Sequence, residues 1–98
     1  MSMVWEKEAQ ELFNKLIEKT PVFVREMAKE KISKKAEQLV SDEKRNEVVE
    51  KDVVDAFFIE TPGGFHGPLK NDMDSLGIDY KAYGHEDVQM FWRTKKKQ

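Results

Sequence analysis

Residues 21–40 read PVFVREMAKEKISKKAEQLV, and the periodicity of this stretch decides the fold. Pro21 suits the first turn of a helix, because its fixed φ is already helical and the N–H it lacks would have no partner there. No further Gly or Pro interrupts the run to Val40. Arg25, Ala28, Ile32, Ala36 and Leu39 recur at helical spacing along one stripe, which predicts a helix with one buried side. Lys31, Lys34, Lys35 and Gln38 point the other way and are expected in water. The first two turns depart from that pattern. Phe23, Val24 and Met27 are apolar on the face that turns basic further along, so this end is expected between two neighbours. Arg25 is a permanent cation in line with the apolar stripe and needs a partner, for which Asp52 and Asp55 are the candidates. Pro21, Phe23, Val24, Arg25 and Met27 together form the candidate interaction or structural site.

Upstream, Trp5, Ala9, Leu12, Phe13, Leu16 and Ile17 give a wide apolar face and predict a first helix over residues 5–19. Its early Glu6, Glu8 and Glu11 and late Lys15 and Lys19 match the helix dipole. Thr20-Pro21 ends it, since a residue before proline avoids α geometry. Downstream, SDEKRN at residues 41–46 reads as a polar loop, and Val48-Val49 as a short extended bridge. Val53, Val54, Ala56, Phe57 and Phe58 predict a short third helix over residues 51–60, with Asp52 and Asp55 near its positive end. Thr61-Pro62-Gly63-Gly64 stops it.

The expected architecture is all-α: a three-helix unit over residues 1–60 and a Gly-rich, aromatic extension over residues 61–98. All five glycines and two of the three prolines fall in that extension. One short helix is expected at residues 68–76, where Leu69, Met73 and Leu76 share a face. Gly77 and Ile78 suit its end. A second is expected at residues 86–92, with Val88, Phe91 and Trp92 inward, followed by a basic tail. Phe65, Tyr80, Tyr83, Phe91 and Trp92 are too many aromatics for a linker, so the extension is expected to pack on the helical unit and cap the Phe23/Val24/Met27 face.

Charged residues make up 37% of the chain and apolar ones 39%, so much of it must be surface. No apolar run is long enough to span a bilayer, and MSMVWEKEAQ lacks a basic-then-apolar leader, which points to a cytoplasmic protein that does not enter membranes. Cysteine is absent, which excludes disulfides, thiolate catalysis and iron–sulfur ligation by this chain. The net charge is −2, with lysines interleaved among glutamates. A nucleic-acid-binding face would carry a basic excess, so none is expected.

No motif announces a reaction. His66 and His85 are isolated in loop-like sequence, without the spacing of a metal site. Asp72 to Gly77 resembles the start of a calcium loop, but Leu76 takes the fifth position and Tyr83 the twelfth, where Glu is required. TPGGF at residues 61–65 lacks the GxxxxGK[ST] pattern and reads as a turn. No catalytic residue, metal or cofactor is expected.

W-x3-A-x2-L at Trp5, Ala9 and Leu12, P-x-F-V-R at Pro21 to Arg25, then Ala28, Ala36 and VVEKDVVDAF from Val48 carry a family resemblance. Together they resemble the small C-terminal domain of the light-independent protochlorophyllide reductase B subunit, which also occurs as short stand-alone proteins. The resemblance covers residues 4–58. One departure is Ser33, where related sequences tend to have Glu. In that reductase, electron transfer and tetrapyrrole reduction belong to the large domains. The resemblance therefore implies a small accessory or protein-interaction module that is not catalytic by itself. It would act as a monomer or weak dimer and dock to another protein, such as a reductase-type complex. The alternative is a histone-like nucleic-acid-binding protein, suggested by the order of short, long and short helices. Against that stand the length of the central helix and the charge.

Overall fold

The computed structural model describes residues 3–85. Four α-helices carry the fold: α1 (Lys7–Glu18), α2 (Val22–Asp42), α3 (Glu50–Glu60) and α4 (His66–Ser75). The chain is a small all-α protein, with strand limited to β1 (Val4–Trp5) and β2 (Glu47–Val48) among the described residues. These two pair in parallel, Val4 opposite Glu47 and Trp5 opposite Val48. The pairing explains why α1 starts at Lys7 and not at Trp5. The Trp5 indole N–H also donates to Glu37 Oε2 at 2.8 Å and ties β1 to α2.

Helix α3 is the centre of the fold, because its broad apolar cover needs neighbours on more than one side. Val53, Val54, Ala56, Phe57 and Phe58 are all buried. Phe57 faces α1, with its ring 6.0 Å from that of Phe13. Phe58, one residue on and rotated about 100° by helical geometry, faces the extension instead and lies 5.9 Å from Tyr80. Ile32, Ala36 and Val40 from α2 are buried in the same cluster, as are Leu69, Met73 and Ile78 from the extension. Their burial is continuous, so the described part of the extension shares one core with the helices before it.

Two helix ends use the same backbone device. After α4, Ile78 N–H bonds Met73 O at 2.9 Å and Gly77 N–H bonds Asp74 O at 3.1 Å, with Gly77 at φ 74°. That is a Schellman end, and Ile78 is buried against the core as such an end requires. After α2, Arg45 N–H bonds Val40 O and Lys44 N–H bonds Ser41 O, both at 2.9 Å. Here Lys44 holds the left-handed position at φ 60°, where a side chain is strained and glycine would not be. Helix α2 thus runs two residues beyond Val40, and α4 begins at His66, two residues before Pro68. Pro68 is tolerated in that first turn, where a backbone N–H has no helical partner.

The expected helix at residues 86–92 and the basic tail lie outside the described residues. Of residues 61–85, His66, Tyr80 and His85 set their rings against Phe58 of α3, and Leu69, Met73 and Ile78 join the same buried cluster. With the described extension in place, Phe23 and Met27 stand exposed; the cap expected from the sequence was residues 61–98, of which 86–98 lie outside the described residues. Tyr80 is buried against Phe58, whereas Phe65 stays 63% exposed.

Candidate functional site

The first two turns of α2 stand out of the molecule. Val22 is 75% exposed, Phe23 87% and Met27 53%. Pro21 is exposed as well, whereas Val24 and Arg25 are half-buried. Between α1 and α2 runs an open groove of about 470 Å³, lined by Phe13, Glu26, Met27, Lys29, Glu30 and Ser33. Phe13 and Met27 give it an apolar floor. Glu26 and Glu30 give its rim an acidic bias, tempered by Lys29. Glu30 spends part of its charge on Lys34 at 3.2 Å, but both side chains are largely solvated, so the pair holds little in place.

Arg25 does not meet Asp52 or Asp55. Its Nη2 donates to Thr20 O and Glu18 O, both at 2.9 Å, and its Nε to Thr20 O at 3.2 Å. These carbonyls sit at the C-terminal end of α1, where helix geometry leaves oxygens without intrahelical partners and the dipole favours a cation. The Pro21 corner folds α2 back so closely that the guanidinium reaches them before any carboxylate. Arg25 is thus a bracket that sets the angle at which the Val22/Phe23/Met27 face projects.

The two aspartates are engaged elsewhere. Asp52, only 2% exposed, accepts Arg45 Nη2 at 2.6 Å and Nη1 at 3.2 Å, and the Val49 N–H at 2.9 Å. It caps α3 while holding the loop before it. The hydrogen bond to Asp52, chiefly, raises the Arg45 guanidinium further above its ordinary range. Arg45 was hidden in the sequence inside the polar run SDEKRN. Its one signal was position, since it precedes a helix whose third residue is an aspartate.

Asp55 accepts Lys51 Nζ at 2.6 Å and meets His85 Nε2 at 2.5 Å. The Lys51 ammonium is raised above its ordinary value by the Asp55 hydrogen bond. Alongside, the Tyr83 hydroxyl donates to Glu50 Oε2 at 3.2 Å. Burial and then the Glu50 charge push that phenol up. The His85 ring stacks on Phe58 at 4.3 Å and 11°. His66 Nε2 lies 3.1 Å from Phe58 O and 2.9 Å from Thr61 O. Both neighbours are acceptors, so Nε2 carries the proton, and Nδ1 is left buried with no partner. Both imidazoles thus pin the extension to α3. Among the described residues no three His, Asp or Glu side chains form a group able to hold a metal ion, and Asp72 and Asp74 lie within α4. Nor is any described helix long and apolar enough to cross a membrane.

No curated protein and no solved structure matches the chain. The family model described as "Protein of unknown function (DUF2621)" matches residues 1–86, and the chain belongs to that family.

Proposed function

We propose that the protein is a small accessory module that acts by docking to another protein through the start of α2. The single observation behind this reading is the exposure of Val22, Phe23 and Met27 on a helix whose angle Arg25 fixes. A side chain such as Phe23 left in water forgoes about 1.5–3 kcal/mol of burial, and contiguous apolar exposure of this kind marks interaction surfaces. The chemistry of the groove selects the partner segment. Apolar side chains would seat on Phe13 and Met27, and flanking basic ones would meet Glu26 and Glu30. A reductase-type complex is the partner that the family resemblance of residues 4–58 implies. The matched family spans residues 1–86, the helical unit and the extension as far as residue 86, so this stretch is read as one piece, with α3 and the described extension as its scaffold.

The test compares tagged wild type with the Phe23→Glu/Met27→Glu variant in pull-downs from native cell extract, after equal melting temperatures have been established. A defined protein retained by the wild type and lost by the variant is the expected result. Identical retained sets would refute the reading.

A further inference from the structure

We infer that a second copy of this chain covers the open face of α2, through a two-fold, antiparallel pairing of the two α2 helices. This rests on the docking role proposed for that face and adds how access to it is controlled. Phe23, Met27, Glu30 and Lys34 recur at spacings of four and three residues and form one stripe, on the side of α2 away from the buried Ile32 and Ala36. Glu26 and Lys29 flank it, and all four charged side chains are exposed. From Glu26 through Lys29 and Glu30 to Lys34 the charges run minus, plus, minus, plus. A copy laid antiparallel presents the reverse order, so Glu26 stands opposite Lys34 of the second copy and Lys29 opposite its Glu30. The two-fold repeats both pairs. A parallel copy would set like charge against like, at a cost. The face is thus complementary to itself in the antiparallel orientation.

The same register gives the apolar side chains a place. Met27 comes opposite Ser33, over the Phe13 floor of the second copy's groove. Phe23 comes opposite Glu37, which holds the half-buried Trp5 indole. That indole lies edge-on to Phe13, with ring centroids 5.3 Å apart. Each copy therefore offers aromatic surface to the Phe23 ring of the other. Burial supplies the attraction, which exposed ion pairs alone would not, while the charges set register. Residues 23–37 span only about 21 Å of helix, so the contact is smaller than the roughly 1,200 Å² at which stable interfaces begin. The dimer is accordingly weak and concentration-dependent. It closes the docking face, and a partner that binds more tightly there must displace the second copy.

Sedimentation equilibrium of the full chain, from micromolar to millimolar concentration, tests this. The wild-type mass should rise from that of one chain toward that of two. Glu26→Lys alone and Lys34→Glu alone should each weaken association about tenfold, because each sets like charges together at two symmetric places. Glu26→Lys/Lys34→Glu in one chain should restore wild-type association, since the paired swaps re-form Glu–Lys contacts only across an antiparallel interface. The changed side chains are exposed, and recovery in the double swap would show that neither single swap acts by unfolding the chain. A wild type that stays monomeric throughout would overturn the inference and leave the face to a different protein. Single swaps without effect, or a double swap as weak as the singles, would overturn it too. In every case the docking role of the face stands or falls separately, on the pull-down comparison.

Discussion

Truncating Met73 to alanine probes whether α4 and the helices before it share one core. Met73 is fully buried on α4, within the same apolar cluster as Phe13 of α1, Ile32 of α2 and Phe57 of α3. The substitution removes the side chain beyond Cβ, at about 0.8 kcal/mol per methylene-sized group, and leaves a cavity that rigid neighbours fill only in part. The sum is about 3 kcal/mol, within the usual range of about 2–5 kcal/mol for such truncations. For a domain of this size each kcal/mol moves Tm by about 4–8 °C, so a fall of about 12–24 °C is expected. The Phe23→Ala variant serves as the internal reference. Its ring is 87% exposed, and its cost should stay within about 0.5 kcal/mol. Thermal melts followed by far-UV circular dichroism give both numbers from single transitions. Equal, small shifts for the two variants would refute the shared core and make α4 an attached tail.

Other outcomes follow from individual contacts. Arg25→Met should cost about 1–2 kcal/mol in urea unfolding, because two carbonyls at the end of α1 lose a charged donor; Arg25→Lys should recover only part. Lys44→Gly should stabilise by about 1 kcal/mol by relieving the left-handed side chain, and any destabilisation would contradict the Schellman geometry after α2. The ammonium of Lys51 and the phenol of Tyr83 are both raised in the fold, above ordinary values of 10.5 and 10.0. A raised folded value means stability that is complete below the unfolded value and lost as pH climbs through the folded one. Denaturant midpoints should therefore fall in strongly alkaline solution, and less steeply in Tyr83→Phe. With a net charge of −2, the protein should not retard duplex DNA at physiological salt in a mobility-shift titration; salt-sensitive, sub-micromolar retardation would favour the histone-like alternative.

What the sequence disclosed and what it hid separate along physical lines. The helices were legible because apolar spacing and Pro or Gly punctuation act locally. Gly77 and Ile78 announced a Schellman end by composition alone, whereas the equal end after α2 was invisible, because Lys44 fills the position that glycine normally marks. The partner of Arg25 was misread for a related reason. A cation on an apolar stripe suggests a carboxylate, but the competing acceptors were backbone oxygens of α1, and no side chain encodes those. Asp52 and Asp55 were expected to pair with Arg25, but Asp52 meets Arg45, and Asp55 meets Lys51 and His85. The Arg45 and His85 pairings depend on how a loop or an extension returns to α3. The open face of α2 was read as apolar from its sequence, with cover expected from residues 61–98; of these, the described His66, Tyr80 and His85 meet Phe58. Periodicity carries no information on which of two apolar surfaces a layer of side chains meets.

Site-specific photo-cross-linking in cells tests the docking role of that face most directly. A benzophenone side chain replaces Phe23 in one strain and the exposed Lys31 of the same helix in another. The account predicts a discrete adduct with one other protein from position 23, mapped to an apolar segment flanked by basic residues. The Lys31 strain should give none. The same adducts from both positions, or none from position 23, would contradict it.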